Sequence, residues 1–419
     1  MDLPDRGKSS FTTTHTAGAP AVPVPPIGRT AAFALQADGK ATSTAIALTE
    51  QLRILLKDPD LGPHIVPIVA DEAAPSDMAE LLREAGIDAV SCLPRTNRRP
   101  GSPAGIADTD TDALSAWTDT ATSHLTQGRA LLPFHFSDSR FGFREIGDLM
   151  SVAAEARARG FLISASSAPR PGSPDGPSPQ HHAVQLFAST LPHCHVYHPA
   201  FAGELAVIVD HGLRRMLMDK HDEFYHLSVS TDPVDTPSLP ASAHDDVVSG
   251  MYLLQSGSAH PRRVQLLGSG STMTEVLQAA SQLEQHHDIA ADVWSVTSYV
   301  ALAREGMEQE RYWRDGARPA VSSWFERRLS ASLGPVVACT AGVRTLAELV
   351  RAFVPPGRRY LTLGADDVQP DDGPAAGTQG GVTAATIVQA SLRAIDEIVC
   401  AEKTVEHHRL AGVMSLSSI

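Results

Sequence analysis

The chain has 419 residues, enough for two domains with cores of their own, and its 42% apolar and 20% charged content is that of an ordinary globular protein. A formal charge of −14 excludes the basic footprint that nucleic-acid binding needs, and no apolar run is long enough to span a bilayer. The four cysteines, Cys92, Cys194, Cys339 and Cys400, form no CxxC pair, and Met1–Pro26 has no signal-type apolar stretch, so neither a disulfide framework nor a zinc ribbon is expected and a reducing cytoplasm is. Residues 1–30 are rich in Ser, Thr, Pro and Ala and read as a disordered tail. A helix follows from Thr42, with Ala45, Leu48, Leu52 and Leu55 on one face, and Pro59 stops it. His64–Ala70 reads as a buried strand and Asp77–Ala85 as a helix closed by Gly86. Ala113–Leu125 reads as a helix, Leu131–Phe136 as a strand, Glu145–Arg159 as a helix ending at Gly160, and Phe161–Ala165 as the next strand. Glu204–Leu217 is helical in pattern and Phe224–Val229 is strand-like. Short apolar strands alternating with amphipathic helices predict a parallel sheet covered on both faces.

Residues 231–247, rich in Pro, Ser and Asp, are the expected domain boundary. The alternation then restarts, with strands at Val264–Leu267, Asp292–Val296, Pro335–Thr340 and Tyr360–Leu363 and helices at Met273–His286, Leu346–Phe353 and Thr383–Val399. Segments 93–112, 168–180 and 364–381 carry turn formers or no apolar periodicity and read as loops. The expected division is a tail over 1–30, one doubly wound α/β domain over 31–235 and a second over 248–419.

Six segments, in order and nearly in spacing, resemble the homodimeric-type pyruvate dehydrogenase decarboxylating component, a thiamine-diphosphate enzyme of the transketolase-like family. They are VPIVADEA (66–73), LLPFHFSDSRFGFREIGDL (131–149), RGFLISASS (159–167), VYHPAFAGELAVIVDHGLRRM (196–216), VQLLGSGS (264–271) and DVWSVTSYVALAREG (292–306). The resemblance implies a transketolase-like pyrimidine-binding domain followed by a transketolase C-terminal-like domain. It covers the second half of that family's chain. The family's first domain, which holds the diphosphate through Mg²⁺ with a Gly-Asp-Gly motif, has no counterpart, since the ADG, PDG and DDG triplets here read as turns.

Thiamine chemistry needs a carboxylate against the aminopyrimidine, an aromatic shelf for that ring, and polar groups that move protons. The resemblance assigns the shelf to Phe141, with Phe143 as its FGF neighbour and more a core residue. It puts Asp71 and Glu72 at the carboxyl end of a strand, with Glu72 facing the substrate, where a capping or solvated role for the pair is the plain alternative. The family's catalytic glutamate falls on Asp108 when the alignment is anchored on Gly105-Ile106, or on Asp110 when counted back from the PF of LLPF. Either aspartate is about 1.5 Å shorter than a glutamate, and misplacement on that scale costs about 100-fold in rate. The same DTDTD run also reads as helix capping. Asp138 stands where the family has a tyrosine, and His181 and His182 stand, shifted, near the family's histidine pair in an active-site loop.

The HCHVYH run (193–198) looks metal-rich, but side chains on a strand alternate faces and do not converge. Gly268–Ser271 lacks the Lys and spacing of a phosphate loop. The expected function is a beta-type subunit of a split 2-oxo acid (pyruvate) decarboxylating enzyme. Its two-carbon unit passes to a lipoyl arm or, by carboligation, to an aldehyde or keto-sugar. A partner chain then holds most of the diphosphate and Mg²⁺, in an α₂β₂ assembly, with a C₂ homodimer as the simpler option. The other reading is a non-catalytic paralogue acting as scaffold or regulatory subunit.

Overall fold

A computed structural model describes residues 41–69, 86, 110–138, 143–166, 179–317, 321–364 and 382–397. Among the described residues the first domain is a five-stranded, wholly parallel sheet in the order β2-β3-β4-β6-β5, from β2 (Ile65–Val69), β3 (Leu132–Asp138), β4 (Gly160–Ser166), β5 (Cys194–Tyr197) and β6 (Phe224–Ser230). A two-residue strand, β1 (Ala41–Thr42), precedes it. Its described helices are α1 (Thr44–Lys57), α2 (Asp110–Ala121), the short α3 (Ser123–Thr126), α4 (Phe143–Glu155), α5 (Pro179–Ser189) and α6 (Ala202–Leu213).

Strand alternation sorts the core into two layers. Leu48, Leu52 and Leu55 of α1 and Leu205, Val209 and Leu213 of α6 pack on Phe134, Phe161 and Tyr225. The Phe134 and Phe161 rings stack at 4.4 Å. On the other face Trp117, Met150, Val184 and Ala188, from α2, α4 and α5, cover Ile68, Leu162 and Phe224. His135 points to neither aromatic neighbour's side of β3; burial lowers its pKa to about 4 and keeps it neutral.

The second sheet has the order β12-β11-β9-β10-β8, from β8 (Met251–Gln255), β9 (Arg263–Gly268), β10 (Ala290–Val296), β11 (Val336–Cys339) and β12 (Tyr360–Leu363). It is parallel except for the edge strand β8, which runs antiparallel to β10. Helix α8 (Met273–His287) and a further helix, α12 (384–397), cover one face through Val276, Leu283 and Ile387. Helices α9 (Tyr299–Arg314), α10 (Trp324–Ser330) and the short α11 (Thr345–Glu348) cover the other through Leu302, Phe325 and Leu329. The fold is thus two doubly wound α/β layers.

Several elements differ from the sequence reading. The helix expected from Ala113 begins at Asp110 and breaks after Ala121. The segment expected as a histidine-bearing loop is helix from Pro179 on, so His181 and His182 sit in the first turns of α5. The helix expected to reach Leu217 stops at Leu213 and turns into a π-helix over Arg214–Met218. The expected linker carries structure: β7 (Val234–Asp235) pairs with β1, and α7 (His244–Ser249) follows. Gly250 ends α7 at φ 111, and a Cβ there would lie 2.7 Å from the Ser298 carbonyl oxygen, so only glycine allows this turn against the second domain. Strand β8 follows at once; an antiparallel edge strand leaves no long apolar run to read. The tail, the helix expected over 77–85 and most of the 364–381 loop lie outside the described residues; Gly86 has φ 72.

Acid groups anchor the first domain's amino-end side. Asp222 receives Arg159 at 2.7 and 2.9 Å and Arg157 at 2.7 Å, with His124 at 3.3 Å. Burial alone would raise its pKa; those hydrogen bonds and charges outweigh burial and lower it to about 2. For Glu223 burial again pushes upward, and His195 with a two-point contact from Arg215 at 2.6 and 2.7 Å outweighs it and holds the carboxyl below the usual carboxylate range. Both carboxyls bind protons less tightly folded than unfolded. The stability they contribute is therefore present above the ordinary carboxylate range near pH ~4 and is lost as pH falls toward ~2. Thermal melts over that window will show a falling Tm. Asp222→Asn will lower Tm at neutral pH and flatten part of the acid slope; an unchanged slope would remove Asp222 from this role.

Candidate functional site

In a parallel sheet every helix that follows a strand starts at the strands' carboxyl edge, and ligands bind there. The chain runs β2–α2–β3–α4–β4–α5. That order brings Asp110, the first residue of α2, Asp138, the last of β3, Phe143, the first of α4, and His181 and His182, near the start of α5, to one edge of one sheet. Strand β2, which leads into the Asp71-Glu72 pair, ends at the same edge at Val69. Asp71, Glu72, Asp108 and Phe141 lie outside the described residues, and for Asp110, Asp138, Phe143, His181 and His182 only the backbone element is described.

Three polar pairs tie β4, β6, α5 and α1 together. Ser164 Oγ on β4 lies 3.0 Å from His226 Nε2 on β6. Gln185 of α5 donates through Nε2 to Ser228 Oγ of β6 at 2.8 Å. Ser230 N donates to Thr44 Oγ1 at 2.8 Å, which ties the start of α1 to the end of β6. Gln185, His198, Ser228 and Ser230 line, with Gly270, Ser271 and Gly342 of the second domain, an interdomain cavity of ≈ 30 Å³. That volume suits one or two waters, and Gln185 Oε1 has no partner among the described residues.

The second domain holds α5 directly. Arg304 of α9 reaches across the boundary and donates to the carbonyls at the end of α5: Leu191 at 2.6 Å, Ser189 at 3.0 Å and Ala188 at 3.3 Å, with Cys194 at 2.6 Å. A guanidinium at a helix C-terminus satisfies orphan carbonyls and opposes the negative end of the helix dipole. Glu204 of α6 is a second tie. Its carboxyl is fully buried and accepts from Ala200 N at 2.6 Å, Phe201 N at 3.2 Å, Tyr252 OH at 2.9 Å and Ser295 Oγ at 2.5 Å, the last two from the second sheet. Burial raises its pKa against these hydrogen bonds.

The metal-like run diverges. Cys194 is buried and its thiol is pushed up to about 12 by burial, His195 turns to Glu223 at 3.3 Å, and the His198 main chain bonds Thr297 and Gly270. Among the described residues no group of His, Cys, Asp and Glu is arranged to hold a metal ion, and no helix is long and apolar enough to cross a membrane. The Gly268–Ser271 turn closes on itself: Ser269 N donates to Thr272 Oγ1 at 3.1 Å and Gly270 N to the His198 carbonyl at 3.2 Å. Sequence reasoning missed Arg304 and Glu204. The only signal for Glu204 was a lone acid in the apolar run AGELAVIV, and nothing local marks Arg304.

Comparisons with known proteins agree with this architecture. Residues 101–237 match the model of the pyruvate dehydrogenase E1 component middle domain, and residues 250–367 match that of the transketolase-like C-terminal domain. The chain is 36% identical over 361 residues to the pyruvate dehydrogenase E1 component of Pseudomonas aeruginosa, covering 82% of this chain and 40% of that protein. It is 31% identical over 396 residues to that of Mycolicibacterium smegmatis, covering 89% and 42%. The chain thus spans about two fifths of the length of these relatives. Among solved structures it is similar in fold to a transketolase from Leishmania mexicana, with a TM-score of 0.55 at 15% identity over 86% of this chain and 46% of that one. A transketolase from Pichia stipitis gives 0.52 at 14% identity, covering 86% and 47%.

Proposed function

We propose that this chain, which corresponds to the middle and C-terminal domains of the pyruvate dehydrogenase E1 component, supplies the pyrimidine-side half of a thiamine-diphosphate site that decarboxylates pyruvate or a related 2-oxo acid. The observation that carries the reading is the single carboxyl edge that gathers the starts of α2, α4 and α5 and the end of β3. Residues 31–235 act as the pyrimidine-binding domain and 248–419 as the C-terminal domain. The cofactor, when bound, supplies an acidic thiazolium carbon that adds to the keto group and lets CO₂ leave.

The chain's residues do the rest. A carboxylate at Asp108 or Asp110 takes the hydrogen bond of the aminopyrimidine. Phe141 stacks on that ring, and Phe143, Asp138 and Asp71 are the further residues of the cofactor's side of the site. Glu72 faces the substrate, and His181 and His182, in the first turns of α5, carry protons during transfer of the two-carbon unit. The acceptor of that unit is a lipoyl arm, or an aldehyde or keto-sugar in a carboligation; Asp138 in place of the family's tyrosine favours the second. In this reading the diphosphate and its Mg²⁺ are held by a domain on a second chain, in an α₂β₂ assembly acting in the cytoplasm.

Native mass spectrometry of the chain from its own host, with and without thiamine diphosphate and Mg²⁺, tests this. A hetero-oligomer that gains cofactor mass is the expected result. A homo-oligomer that gains none sinks the split-site reading and leaves the non-catalytic paralogue, which the aspartates in the glutamate region favour. In the assembled enzyme, Asp108→Glu will speed proton exchange at the thiazolium carbon by up to about 100-fold. Acceleration by Asp110→Glu instead would move the carboxylate two residues on.

A further inference from the structure

A second cleft, away from the carboxyl edge, opens where the edge strand β5, the end of α6 and the helices α9 and α10 meet. Its volume is ≈ 420 Å³, within the range of small-molecule sites. One wall is apolar, built from Val196, Val248 and Val300.

The same cleft carries cations and unspent donors. Arg304 uses Nη1 and Nη2 on the end of α5, and its Nε has no hydrogen-bond partner among the described residues. No carboxylate among the described residues lies within ion-pair distance of it, although burial lowers its pKa. Arg215 spends Nε and Nη2 on Glu223 and keeps Nη1. Arg327 donates Nη1 to the Ser322 carbonyl and keeps Nε, and its guanidinium lies 5.5 Å from the Trp324 ring centre. The Trp324 indole N–H is buried without a partner among the described residues.

The carboxylates nearby are taken. Glu223 is filled by Arg215, His195 and Tyr225, and Glu305 accepts the Trp324 amide at 2.7 Å and lies 3.8 Å from Arg327. A half-buried guanidinium with no carboxylate near it among the described residues, beside three further donors and an apolar wall, is a lining that suits an organic anion.

We infer that this cleft binds a small organic anion, a carboxylate or phosphate monoester with an apolar body, whose charged end meets Arg304, Arg215 and Arg327 and whose body lies on Val196 and Val300. His211 at the same wall is kept neutral, its pKa lowered to about 4 by burial and then by Arg215, so it adds a hydrogen-bonding group and no competing charge. The site is separate from the carboxyl edge and does not depend on the reaction carried out there.

Calorimetric titration of the full chain with phenyl phosphate tests it, with benzyl alcohol and inorganic phosphate as the neutral and body-less controls. The expected result is saturable binding of phenyl phosphate with Kd on the order of 1 mM, at least tenfold weaker binding of both controls, and weakening with added salt. Ala301→Phe fills the cleft from α9 and will abolish binding. Arg327→Gln, at a guanidinium with an exposed side, will weaken it about fivefold. Absence of saturable binding to the wild-type chain overturns the inference, as does an affinity that neither substitution changes. Equal binding of benzyl alcohol overturns the anion assignment, and equal binding of inorganic phosphate overturns the apolar half.

Discussion

Replacing Glu204 with alanine will destabilise the chain by about 3 kcal/mol or more and split its thermal unfolding into two transitions. Four donors converge on this carboxyl, two of them main-chain amides that begin α6 and two of them side chains of the second sheet. Removing the acceptor leaves all four buried, and each orphaned group costs about 1–3 kcal/mol. Because Tyr252 and Ser295 belong to the other domain, the loss falls on the junction as well as on α6. Differential scanning calorimetry reads both parts. A single transition within about 1 °C of wild type would mean that the apolar contacts across the boundary suffice without this node. Glu204→Gln keeps an acceptor for the two amides and will restore most of the first domain's stability but little of the coupling.

Replacing Arg304 with methionine will free the end of α5. The substitution keeps the stem of the side chain and deletes the donors to four carbonyls, a loss of about 3 kcal/mol. Hydrogen exchange of the α5 amides will rise at least tenfold, while exchange in β9 and β10 stays as it was. Unchanged exchange in α5 would show that Gln185 and the packing of Val184 and Ala188 hold the helix alone. In an assembled enzyme the same variant will slow turnover more than it raises KM, since the clamped helix bears His181 and His182 near its other end. Arg304→Lys, which reaches the same carbonyls with fewer donors, will recover part of both effects.

Sequence carried the first domain's layering well because its pattern is local. Leu48, Leu52 and Leu55 at helical spacing do bury one face of α1, and the Leu131–Phe136 and Phe161–Ala165 runs are the central strands of a covered parallel sheet. The match of the six segments to a known family placed both domains in their order. What failed was set by distant partners. Helix α5 begins in a stretch of turn formers and is held from outside, by Arg304 more than a hundred residues on and by Ser228. Strand β8 is short and antiparallel, with its alternation broken by Leu253 and Leu254, so no periodic signal reaches it. The candidate site was legible as residue types at an edge, Asp110, Asp138, His181 and His182 among them, because βα connectivity alone fixes which end of a sheet those positions occupy. The buried Glu204 and the half-buried Arg304 were not, since a charge on a helix declares its partner only in three dimensions.

The two-residue pairing of β1 with β7 has a consequence for how such domains move between proteins. Ala41 faces Asp235 and Thr42 faces Val234, so the points where the backbone enters and leaves the first layer are neighbours in space. A unit whose entrance and exit adjoin can be lifted out, joined to new flanking sequence or placed within another polypeptide without rethreading its interior. Shuffling at that seam leaves the carboxyl edge of the sheet untouched. A lineage can therefore move this domain between polypeptides while its sheet keeps its shape.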